Sequence, residues 1–130
     1  IVLAKPLTFV NGSGEAVKAL SDWLKIGKEE ILVICDDFHL QKGKLKLKKS
    51  GSSGGHKGLE SIIESLSSEE FPRLRLGIGR SEEGLEPAEY VLQKFSEQEE
   101  TLVDEMIGRA CQAVETIITD GIDAAMSKKW

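Results

Sequence analysis

With 130 residues, 40% hydrophobic and 30% charged, the chain has the size and composition of one ordinary globular domain. No apolar run approaches the roughly 18 residues of a membrane span, and Lys5 and Pro6 cut short the apolar start before it reads as a leader. The net charge of -5 argues against a general nucleic-acid coat.

In chain order, Ile1 to Ala4 reads as a short buried strand and "KPLTFVNGSG" as a loop. Ser13 is placed to cap a helix from Gly14 to about Ile26, with Val17, Leu20, Trp23 and Leu24 at helical spacing. Ile31 to Cys35 is a continuous aliphatic run, which predicts a central strand buried on both faces and ending at Asp36 and Asp37. "KLKLKK" alternates, so Leu45 and Leu47 share one face and Lys44, Lys46 and Lys48 the other. A glycine loop follows, then a helix with Leu59, Ile62, Ile63 and Leu66 on one side. "RLRLGIG" predicts a strand with Leu74, Leu76 and Ile78 inward and Arg73 and Arg75 outward. After a polar connection, a helix is expected from about Glu97 to Thr119, striped by Leu102, Val103, Met106, Ile107, Ala110, Val114 and Ile117. Asp120-Gly121 breaks it before a last short helix. Strands alternating with helices predict an α/β sandwich around a mixed sheet. Cys35 and Cys111 fall inside apolar patterns and read as buried thiols in a reducing cytoplasm.

Charge is unevenly spread. Six lysines and no acid lie between Phe38 and Leu59, whereas Ser81 to Glu115 holds ten acids against Lys94 and Arg109. A basic strip in an acidic chain points to a local polyanion contact. The plainer alternative is a strand edge kept soluble by lysines. Asp36 and Asp37 sit beyond the carboxyl end of the most apolar strand, where open α/β sheets place ligands, and alternation sends their side chains apart. Turn capping is the competing role for either one. The loop from Gly51 to Gly58 fails the Walker pattern, because His56 stands where that pattern needs glycine. What remains is generic: small residues that permit close approach, and a helix start near His56 with amide donors for an anion. Cys35, Asp37, His39 and His56 lack zinc-type spacing, so no metal is expected. Ser13 lies in G-S-G and not in G-x-S-x-G, so a serine nucleophile is not supported.

"KPLTFVNGSGEAV", "EILVICDDFHLQKGKLKLKKSGSSGGHKGLESII" and "FPRLRLGIGR" follow one another. This series closely resembles the bacterial-type peptidyl-tRNA hydrolases, from about Lys5 into the C-terminal helix. The resemblance implies one domain over residues 1–130: a three-layer α/β sandwich around a mixed, mostly parallel sheet. It implies hydrolysis of the ester joining a peptide to the 3′ ribose of tRNA, by a cytoplasmic or organellar monomer that needs no metal, cofactor or membrane. In the family a histidine assists water attack. By position, Asp36 resembles the aspartate that orients that histidine, Asn11 the substrate-positioning asparagine, and His56 the histidine of the glycine loop. Lys48 and Arg75 resemble the residues that grip tRNA phosphate, and Lys46 shares the face of Lys48. Lys57 stands where the family's loop usually has a substrate-holding asparagine, and an ammonium accepts no hydrogen bond. The family's first strand and catalytic histidine precede the K-P pair, near which this chain starts. Neither His39 nor His56 occupies that histidine's place. The expectation is therefore a sheet without its first strand region and a chain inactive alone. The alternative is a non-catalytic RNA-binding relative, since some organellar relatives act in RNA splicing.

Overall fold

The computed structural model describes residues 1–80 and 95–130. Two compact units emerge, Ile1–Val33 with Lys49–Pro72, and Ile34–Lys48 with Arg73–Trp130.

The first unit holds helices α1 (Ser13–Leu24) and α2 (Lys57–Leu66). Helix α1 presents Gly14, Val17, Ser21 and Leu24 at helical spacing as its more buried side. Trp23 departs from the expected stripe and is exposed, because its position falls roughly 100° from that of Leu24. Gly14 is required by contact with α2: a Cβ there would lie 2.0 Å from the carbonyl oxygen of Ser61. The two helices are also joined by the Gly14 N–H, which donates to Ser61 Oγ at 2.8 Å. Ser13 does not cap α1. The N-cap is Gly12, and the Ser13 hydroxyl donates backward to Val10 O at 2.7 Å. The face of α2 is as expected, with Leu59 and Ile62 buried and Phe71 buried nearby in sequence. Ile1 to Ala4 is no strand. Ile1 and Leu3 are exposed, and no described strand pairs with them to satisfy their backbone groups.

The second unit carries a mixed sheet of β1 (Val33–Asp37), β2 (Leu45–Lys48) and β3 (Arg73–Gly77), in the order β1-β3-β2 among the described residues. Strands β2 and β3 pair antiparallel, Leu45 opposite Leu76, Lys46 opposite Arg75, Leu47 opposite Leu74, and Lys48 opposite Arg73. Val33 N–H donates to Pro72 O at 3.0 Å and Ile78 N–H to Asp37 O at 3.1 Å, so β1 runs parallel to β3. Among the described residues the expected central strand is thus an outer one, two residues later than the aliphatic run suggested, and Ile34 is 53% exposed. Arg73 also departs from expectation. It is fully buried, although alternation correctly put it on the face opposite Leu74.

Helix α3 (Glu97–Asp120) begins with a full capping box between Ser96 and Glu99, and Gly121 at φ 92° separates it from α4 (Ile122–Met126). Its buried side is Met106, Ala110 and Ala113, while Leu102 and Ile107 are more exposed than the stripe implied. Cys111 is exposed, contrary to expectation, because the helix turns Ala110 inward and its neighbour outward. Arg109 Nη2 donates to Gly43 O at 2.5 Å and Lys42 pairs with Glu99, tying α3 to the chain that enters β2. The polar connection expected after Gly79 lies largely outside the described residues.

Candidate functional site

The expected site residues divide between the units. Asn11, His56 and Lys57 lie in the first, and Asp36, Lys46, Lys48 and Arg75 in the second.

In the first unit, Asn11 is exposed on a single 3₁₀ turn, Val10–Gly12, next to the start of α1. That turn packs on the start of α2, where a Cβ on Gly58 would lie 3.1 Å from Val10 Cγ2 and 2.9 Å from His56 Cε1. His56 is the N-cap of α2: its Nδ1 accepts from the Leu59 N–H at 3.2 Å. An imidazole nitrogen that accepts carries no proton, so the ring's proton is on Nε2. The cap consumes an amide that the sequence left open for an anion. Lys57 begins α2 on the surface, its ammonium 3.4 Å from Glu60.

In the second unit, the strand register gathers cations. Lys46 faces Arg75 and Lys48 faces Arg73 across β2 and β3 on one face of the sheet. Lys46 and Lys48 are exposed, and neither takes part in an ion pair among the described residues. Arg75 is different. Its side chain is 12% exposed and its Nη1 lies 3.6 Å from Asp37 Oδ2. Asp37 also accepts the His39 N–H at 2.8 Å, which closes the turn after β1. Asp37 thus takes part in both the turn and the ion pair. Asp36, half-buried, falls on the other face by strand alternation. Cys35 shares the Asp37 face. Burial pushes its thiol up to about 11, with Arg75 pulling the other way.

Like charges directly opposite on a sheet repel. Two adjacent cation pairs share one face, with the Asp37 carboxylate beside Arg75. That face can accept a row of anionic groups along β2. Among the described residues no three of His, Cys, Asp or Glu gather as a metal site.

Sequence reasoning missed the fully buried Arg73 as the partner position of Lys48. The period-two pattern of "RLR" against "KLK" contained that signal, but only the register aligns the two. It also missed Arg80, whose Nη2 lies 3.0 Å from His39 Nδ1 across 41 residues of chain. No local pattern marks that contact.

A family model described as peptidyl-tRNA hydrolase matches residues 1–129. The chain is 51% identical over 128 residues to the peptidyl-tRNA hydrolase of Thermoanaerobacter pseudethanolicus, covering 98% of this chain and 68% of that one. It is 50% identical to that of Methylacidiphilum infernorum, with 98% and 69% covered. The crystal structure of peptidyl-tRNA hydrolase from Acinetobacter baumannii superposes with a TM-score of 0.85 at 33% identity, covering 94% of this chain. The chain spans 62% of the length of that solved relative.

Proposed function

The chain belongs to the peptidyl-tRNA hydrolase family, and from that premise we propose that its protein cleaves the ester between a peptide and the 3′ ribose of tRNA. The reading is carried by one observation: the cross-strand register that sets Lys46 and Lys48 beside Arg75 and Arg73 on one face. Tightly spaced phosphates answer that arrangement, and tRNA supplies them. Lys46 and Lys48 make the phosphate contact. Arg75, 3.6 Å from Asp37, stands opposite Lys46 in the same row.

For the chemical step, Asp36 orients a histidine that activates water, and Asn11 positions the substrate. Lys57 adds a cation near the helix start but offers no acceptor. Neither histidine of the 130 residues is the base. His56 Nδ1 is engaged by the Leu59 amide, and His39 Nδ1 by Arg80. The protein works where translation strands peptidyl-tRNA, in the cytoplasm or an organelle.

Release of peptide from an N-blocked aminoacyl-tRNA tests this with the 130-residue chain. General-base assistance is typically worth about 10²–10⁴-fold. The expected outcome is trace turnover with tRNA binding retained. Turnover close to that of a curated relative would make His56 or His39 the base, and loss of tRNA binding would overturn the reading.

A further inference from the structure

We propose that Phe38, His39 and Arg80 form a stacking platform for an unpaired nucleobase at the end of the lysine row. This rests on the tRNA reading above and deepens it, by assigning where a single-stranded end of the RNA lies.

The three side chains form one cluster. The Phe38 and His39 rings stand 4.4 Å apart between centroids, tilted by 38°. His39 and Arg80 are exposed, and Arg80 Nη2 lies 3.0 Å from His39 Nδ1. A guanidinium only donates, so Nδ1 accepts and the imidazole proton sits on Nε2. The outer ring edge therefore presents a donor, beside a flat cation.

The backbone beneath the cluster is anchored. Asp37 Oδ1 accepts the His39 N–H at 2.8 Å, and the Gly79 N–H donates to Leu40 O at 3.0 Å. A stacking surface needs that support, since a loose ring would lose more freedom on binding than it gains.

The place of the cluster says what it fits. Following β3, Arg73 is opposite Lys48 and Arg75 opposite Lys46. Next, Gly77 bonds to Lys44 and Gly79 to Leu40. One residue further on, Arg80 meets His39. Lys48, Lys46, Lys44 and then Leu40 thus succeed one another beside the strand, and the ring pair directly precedes Leu40 in the turn that leaves β1. A phosphate chain lying on the lysines carries its bases to the rings. A duplex hides its base faces in its own stack, whereas an unpaired nucleotide offers one to an aromatic or guanidinium plane.

The test uses a short RNA strand ending in 2-aminopurine and the same strand ending in an abasic ribose, titrated against the 130-residue chain. Both probes carry equal charge. The expected result is tighter binding of the base-bearing probe by about 5- to 150-fold, the range that stacking one base provides, with its fluorescence quenched. His39→Ala and Arg80→Gln, both at exposed positions, are expected to bring that ratio toward one. Both weaken the base-bearing probe more than the abasic one, and Arg80→Gln lowers the salt slope of both probes alike through its one lost charge. A ratio near one in the unmodified chain, with salt-dependent binding intact, overturns the platform alone. So does a ratio that survives both substitutions. Failure to bind either probe overturns the tRNA reading and the platform with it.

Discussion

Replacing Gly14 by alanine tests the helix contact beside which the Asn11 turn stands. The new Cβ would lie 2.0 Å from Ser61 O and 2.5 Å from Ser61 C, both backbone atoms of α2 that no rotamer change can move. Forcing a methyl into a packed contact costs about 1–3 kcal/mol, and a backbone obstacle puts this case at the upper end. Separation of the helices also strains the bond from Gly14 N–H to Ser61 Oγ, worth about 1 kcal/mol. Helix propensity works the other way, by up to about 1 kcal/mol. The expected net is a destabilisation of about 3 kcal/mol, which lowers the urea midpoint by about 1.5 M at an m-value near 2 kcal/mol/M. Gly108→Ala is the control, because nothing lies within 4 Å of its Cβ position on α3. It is expected to stabilise by about 0.5–1 kcal/mol. Urea unfolding followed by circular dichroism reads both. A Gly14→Ala midpoint at or above that of the parent refutes the close approach of α1 to α2.

The two aspartates after β1 separate by what they lose. Asp36→Asn is expected to lower ester hydrolysis strongly while leaving the protein folded. Asp37→Asn is expected to cost about 3 kcal/mol by removing the carboxylate charge beside the mostly buried Arg75; the reverse assignment in paired activity and melting assays shows that the strand register is wrong. Lys42 holds the Glu99 carboxyl at about 2, below its ordinary 4.5. A lowered folded value means that its stabilisation is complete above about pH 4.5 and lost as pH falls toward 2. Glu99→Gln keeps the capping box and is expected to flatten the acid limb of a stability profile between those values; an unchanged limb refutes the pairing.

Period-two and period-3.6 patterns carried much of the fold. The alternation of "KLKLKK" and the apolar face of α2 follow from side-chain direction alone, and both stand in the structure. Burial was harder to read, because it depends on what packs against an element. Ile34 belongs to an aliphatic run and is exposed, while Arg73 is charged and fully buried. Trp23 and Cys111 are large or apolar, yet helix phase turns each outward. Capping misled at Ser13, whose hydroxyl bonds back into the preceding turn. Motif positions alone singled out Asn11, Asp36, His56 and the lysines as candidates. Pairings across the fold were not legible. Asp37 with Arg75, and His39 with Arg80, join residues separated by 38 and 41 positions.

The salt dependence of tRNA binding by the Lys46→Ala/Lys48→Ala double variant tests the phosphate-binding face most directly. Each phosphate contact adds roughly 0.7–0.9 to the slope of log affinity against log salt. Both lysines are exposed and Arg75 is not among the substitutions, so the fold and the Asp37 pair stay intact. The predicted result is weaker binding with a slope flattened by about 1–2, indifferent to tRNA sequence. Unchanged affinity and an unchanged slope would show that these lysines only solubilise a sheet surface, and would contradict the account.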